Sequence, residues 1–165
     1  MAEIGPNFKN ELAAAGLVGL PIAWDAASGA VTYADSVTQE ERDAVAAVLA
    51  AHDPETPDRG KAAAAAIAAG CAIASAGTPA LNATYHASGA AWQMMRDEAL
   101  YIAAFGEFSG GLAELDWTAV SGDVLFETTA QFMAVARAIG DWLTHWHRFA
   151  AGRTEISPGG TAEIA

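Results

Sequence analysis

The sequence predicts an α+β fold, mostly helical, with a small antiparallel sheet and a separate N-terminal hairpin. Apolar residues recur at helical spacing in several long stretches. Short alternating runs carrying Ile, Val, Thr, Tyr and Trp stand between glycine-containing turn signals. The 165 residues are within the usual range of one domain and short for two large ones.

Asn7 is expected to cap a short leader helix running to about Ala15, with Gly16 past its end and Phe8, Leu12 and Ala15 on one face. A helix of that length is marginal alone and needs a surface to lie on. Residues 21–33 read as a hairpin. Ile22 and Trp24 alternate on one arm, Val31 and Tyr33 on the other, and Asp25 to Gly29 form the turn. A lone two-stranded hairpin also needs cover.

Thr38 and Glu41 make a capping box for a helix to about Ala51, with Val45, Val48, Leu49 and His52 along one side. Asp53-Pro54 stops it. Thr56 and Pro57 signal a second start, and the alanine-rich run from Lys61 to Ala76 is expected to be helical. Leu81–His86 alternates as a strand, and Ser88 caps a helix to about Phe105 with a stripe of Trp92, Met95, Ala99, Ile102 and Phe105. Phe108 to Gly111 is a glycine-rich corner. A second hairpin, 117–126, turns at Ser121-Gly122-Asp123. Thr128 with Gln131 opens the last helix, whose stripe is Phe132, Val135, Ile139, Trp142, Leu143, Trp146 and Phe149. Gly152 and Pro158-Gly159-Gly160 mark a loose, extended tail.

A soft boundary at 76–80 divides the chain into an N-terminal lobe or docking arm, 1–76, a strand–helix–hairpin–helix domain, 77–151, and the tail, 152–165. The 81–86 strand is expected to join the 117–126 hairpin in a three-stranded sheet covered by the two helices that follow these segments.

Charge narrows the function classes. Twenty acids against eight bases give a formal charge of −12, and the bases form no stripe, which argues against nucleic acid as a partner. The apolar run Leu12 to Trp24 is too short and too broken by Gly16, Gly19 and Pro21 to span a membrane. Glu3 and Glu11 stand where a signal peptide carries bases. Synthesis and retention in a cytoplasm is the expectation.

No constellation predicts catalysis, a metal or a cofactor. His145 and His147 are two apart on a helix and diverge. His52-Asp53-Pro54 is explained as a helix end and turn. His86 beside Ser88 lacks an orienting acid. Cys71, the single cysteine, sits among Ala, Ile and Gly and reads as a buried hydrophobe. Asn82-Ala83-Thr84 is a formal glycosylation sequon, silent without secretion. No Gly-rich loop has nucleotide-site context.

The five tryptophans point instead to packing and contact. Candidate protein–protein contacts are Phe8 and Leu12 on the leader, Trp24 and Tyr33 on the first hairpin, Trp117 and Phe126 on the second, and Trp142 and Trp146 on the last helix. For the last pair, two readings stand: core packing at helical spacing, the commoner use of such a stripe, and a ridge that meets another subunit. The same pair of readings applies to the hairpin aromatics.

Leu81-Asn82-Ala83-Thr84-Tyr85, Tyr101-Ile102-Ala103-Ala104-Phe105-Gly106, Leu115-Asp116-Trp117-Thr118 and Phe126-Glu127-Thr128-Thr129-Ala130-Gln131-Phe132 occur in that order. The order resembles an uncharacterised domain of tail-fibre and baseplate proteins in tailed bacteriophages, prophages and gene transfer agents. Glu11 to Leu17, Gly19-Leu20-Pro21 and Val48 to Pro54 are similar to phage tail proteins, so the likeness covers most of residues 8–150. The resemblance implies a non-enzymatic virion structural protein. Its partners would be other tail, fibre or baseplate proteins, in several copies. It carries over no catalytic residues and implies no cofactor, nucleic acid or membrane. The Trp142–Phe149 end is more aromatic than that pattern. Two alternatives remain: a tail-fibre assembly chaperone, and a receptor-binding module stacking host sugars on Trp117 beside Glu114 and Asp116.

Overall fold

The computed structural model describes residues 3–154 and 156–164. Residues 1 and 2 of the expected leader and residues 155 and 165 of the expected tail lie outside them. The fold is α+β, and the chain forms two compact units, Met1–Arg59 and Gly60–Ala165.

In the first unit, helix α1 (Phe8–Ala14) precedes a hairpin of β1 (Ile22–Trp24) and β2 (Val31–Tyr33), and helix α2 (Gln39–Ala51) follows. The hairpin register pairs Ile22 with Tyr33 and Trp24 with Val31. Its turn is held by the Asp25 carboxylate, which accepts the N–H groups of Ala27 and Ser28 at 2.9 Å. Those bonds lower the Asp25 pKa, the one from Ser28 most. The Thr38 capping box forms, with the Glu41 N–H donating to the Thr38 hydroxyl and the Thr38 N–H donating to the Glu41 carboxylate. It lowers the Glu41 pKa as well. Both carboxylates are depressed relative to the unfolded chain. Their contributions are therefore present at neutral pH and lost as pH falls through the lowered values.

Phe8, Leu12, Ile4 and Val45 are the buried core of this unit. Phe8 is fully enclosed, edge-on to Trp24 at 5.4 Å and to His52 at 5.3 Å. The His52 ring also fastens the segment before α1. The Gly5 N–H donates to Nε2 at 2.8 Å, so Nε2 carries no proton. The proton sits on Nδ1 and is donated to the Glu11 carboxylate at 2.7 Å. Gly5 is required there, because a β-carbon at this position would run into the Pro54 backbone. Asn7 stands at the N-cap position but makes no capping bond; its amide donates to Glu11 instead. The leader helix and hairpin, expected to need an outside cover, thus cover one another.

The second unit is built on helix α5 (Thr129–Ala150), started by the Thr128–Gln131 capping box. All seven stripe residues, Phe132, Val135, Ile139, Trp142, Leu143, Trp146 and Phe149, are buried. Helix α3 (Arg59–Ala69), strand β3 (Cys71–Ser75), a 3-10 turn at Pro79–Leu81, strand β4 (Ala83–Tyr85), helix α4 (Gly89–Phe105), strands β5 (Leu115–Ala119) and β6 (Gly122–Phe126), and strand β7 (Thr161–Ile164) complete the unit.

Three expectations are corrected here. The alanine-rich run is helical only to Ala69. Gly70, at φ +94°, turns the chain, and Cys71, Ile73 and Ser75 then alternate inward as β3. Alanine's helix propensity loses to two-sided strand pairing. Second, β4 pairs with β3 rather than with the Trp117 hairpin, which forms its own two-stranded sheet. The hairpin only hooks onto β4: the Val120 N–H donates to the Thr84 carbonyl at 2.7 Å and the Thr84 N–H to the Ser121 hydroxyl at 2.9 Å. Third, the tail is not loose. Residues 161–164 add to β3 as a parallel strand, giving the order β4-β3-β7. The Trp142 indole N–H donates to the Gly159 carbonyl at 2.9 Å and holds the approach to β7. Because β3 is the central strand of this sheet, the unit boundary falls at Arg59 and not near residue 76.

Asn82 closes the β3–β4 connection: its side-chain oxygen accepts the N–H of buried Ser75 at 2.6 Å. At the other end of the unit Phe132 meets Phe126 at 5.0 Å, Trp117 at 5.4 Å and Phe108 at 6.1 Å, all close to edge-on.

Two stability outcomes follow from this packing. Phe132→Ala should lose about 3–5 kcal/mol in chemical denaturation, because three rings lose their common neighbour. Gly70→Ala should cost more than about 1 kcal/mol, since a β-carbon there would lie 2.6 Å from the Tyr85 carbonyl oxygen at a backbone angle that disfavours alanine.

Candidate functional site

Helix α4 is apolar on several sides, and its own unit fully buries one of them and partly covers another. Met95 and Ile102, seven residues apart, are buried. Met94 and Phe105 lie on another side and are 59% and 68% exposed. The Phe105 ring rests on Tyr101 at 4.7 Å. A third side carries Trp92, Arg96, Ala99, Leu100 and Ala103, whose spacing of four, seven, eight and eleven residues keeps them in one stripe.

That third stripe faces a matching one on α5, made by Ala130, Met133, Ala134 and Arg137. Between them runs an open groove of about 600 Å³. Trp92, half-buried, closes one end beside Gly140, where an added β-carbon would sit 3.9 Å from the indole. Leu100, 65% exposed, stands at the rim. Among the described residues, the charged groups lining the groove are Arg96 and Arg137, one on each helix. Neither makes an ion pair or a hydrogen bond among the described residues.

Of the sequence-predicted contacts, Phe8, Leu12, Phe126, Trp142 and Trp146 are buried in the cores of their own units, each less than a tenth exposed. For Trp142 and Trp146 the packing reading holds; their rings meet edge-on at 6.0 Å. The Trp146 indole N–H has no acceptor among the described residues, so that residue contributes volume rather than a polar tether. Tyr33 is half-buried under the Arg42 guanidinium, 5.2 Å from its ring centre. Trp117 is half-buried with Phe132 against it. Trp24, 37% exposed, borders a smaller cleft of about 250 Å³ with Leu12, Leu17 and Val18.

The helical spacing placed Phe105 with the core stripe of α4, where it is 68% exposed, and passed over Leu100, Arg96 and Arg137. The available signal was the excess of apolar residues in α4: a single buried face needs three or four per two turns, and this helix has more.

No cluster of three or more metal-ligating side chains occurs among the described residues. His145 and His147 are exposed on α5, two residues apart, with His147 in its last turn. Burial pushes the Cys71 thiol up to about 11 and the Tyr85 hydroxyl up to about 12. Cys71 is fully enclosed.

No family model, characterised protein or solved structure matches this chain.

The Cys71 environment has a direct readout. At about pH 8, where a free thiol is partly ionised, the folded chain should not react with a thiol-specific reagent. It should take up one equivalent after denaturation. Rapid labelling of the native chain would contradict the enclosed position.

Proposed function

We propose that this chain is a non-enzymatic structural subunit that works through protein–protein contact, as a minor tail, tail-fibre or baseplate component of a phage-like particle. The observation that carries the contact reading is α4, a helix with one side buried, one partly covered, and Met94, Leu100 and Phe105 each more than half exposed. Large apolar side chains gathered on one exposed helix are candidates for burial against a neighbour. The tail-particle part rests on the resemblance of the 81–85, 101–106, 115–118 and 126–132 segments to tail-fibre and baseplate proteins. One of those segments, 101–106, lies in the exposed end of α4 and its cap.

The sugar-binding alternative loses support from the position of Trp117. A stacking platform needs an open ring face, and this ring is half-buried and packed against Phe132.

Mass spectrometry of purified particles tests the reading. The chain should occur in fixed ratio to the other tail proteins, each copy burying more than about 1,000 Å² in total against neighbours. An assembly chaperone would be absent or substoichiometric. Leu100→Asp combined with Phe105→Asp should remove the chain from particles while its circular dichroism stays that of the unaltered chain, because both side chains are exposed. Undiminished incorporation of that variant would rule α4 out as the contact.

A further inference from the structure

We infer that the α4–α5 groove is the seat of an amphipathic helix supplied by a partner protein, with an apolar stripe flanked by Asp or Glu. The inference rests on the contact reading above and names the chemistry of the partner.

The groove has the form that takes a helix. Its α4 wall runs from Trp92 to Ala103, a rise of roughly 16 Å, or three turns. Alanines at 99, 103, 130 and 134 line both walls, so a third helix can approach closely and place Leu- or Phe-sized knobs between them. An apolar helix face laid in an apolar groove is a recurrent mode of recognition. The groove stays open to solvent, whereas a small amphiphile needs most of its surface enclosed.

Charge decides the flanks. The chain carries −12, so an acidic partner is repelled at long range by most of its surface. Two of its eight bases stand on the two walls of this apolar groove, without carboxylate partners among the described residues. A guanidinium pairs with a carboxylate through two parallel hydrogen bonds, so a carboxylate on each flank of the incoming helix would satisfy one arginine. A second copy docked through the same groove would bring like charges together instead. Met94 and Phe105 lie away from the groove and remain for other contacts.

Two labelled synthetic helical peptides with one Leu/Ala stripe, flanked by Glu in one and Lys in the other, are the probe. They are titrated by fluorescence anisotropy against the full chain. The Glu-flanked peptide should bind about tenfold more tightly, as two exposed ion pairs allow, and the gap should narrow as salt is raised. Arg96→Glu with Arg137→Glu should reverse the preference without altering the circular dichroism. Equal binding of the two peptides, or no binding of either, overturns the inference. So does self-association of the chain that Ala134→Asp abolishes, which assigns the groove to a second copy. Binding of dodecanoate in place of the Glu-flanked peptide overturns it too, in favour of a small amphiphile. The particle stoichiometry test is independent: a chain in fixed ratio in particles but indifferent to peptide charge loses only this inference.

Discussion

The larger unit is organised around one helix with a continuous buried face. Seven large side chains of α5, from Phe132 to Phe149, are removed from water along its length. Their number and size mean that the helix cannot be left on a surface; other elements must come to it. At its start the β5–β6 hairpin and the Phe108 corner meet Phe132. Further along, Trp142 holds the chain before β7, and β7 lies beside β3. The placement of three separate segments therefore depends on one hydrophobic stripe and on a single indole hydrogen bond.

The smaller unit is organised by a polar contact within an apolar surround. His52 closes the end of α2 and is almost fully buried, yet both its ring nitrogens are engaged, one by the Gly5 backbone and one by Glu11. Burial without those partners would cost several kcal/mol; with them, the ring ties the chain segment before α1 to the end of α2. Phe8 packs on the same ring. The leader can be short because it is fastened at this point and not because it is stable by itself. The leader and first hairpin shelter one another in large part, and three of the exposed large apolar side chains, Met94, Leu100 and Phe105, stand together on the single helix α4. The proposed contact therefore moves from the ends of the chain to a helix in its middle.

Much of the local structure was legible. Both capping boxes form as read, Thr38–Glu41 and Thr128–Gln131, because they depend on residues three apart. Both hairpins form; the first turns at Asp25–Gly29 as read, whereas the second turns at Val120-Ser121, with Gly122 and Asp123, read as turn residues, already paired in β6. The buried stripe of α5 is the one its periodicity indicates. The site was much less legible. Trp142 and Trp146 drew attention by their size, whereas the groove is walled chiefly by alanines and edged by two arginines. The excess of apolar residues in α4 shows that more than one of its sides is apolar, but which side distant elements leave open is encoded in no local pattern. Asn82 is similar: it reads as a sequon, and its task is to accept the Ser75 N–H across a strand connection.

By itself, the order of residues determined where helices begin, where hairpins turn and which face of α5 is buried, since each depends on neighbours within a turn or two. Only the tertiary structure decided that Cys71–Ser75 leaves the helix to become a central strand, that residues 161–164 return to it in parallel, and that α4 is buried on one side, partly covered on another and open on the rest. Strand pairing satisfies backbone groups far apart in the chain. Coverage of a helix face depends on which distant element reaches it first. Alanine-rich segments, with little side-chain preference of their own, follow whichever of these demands is present.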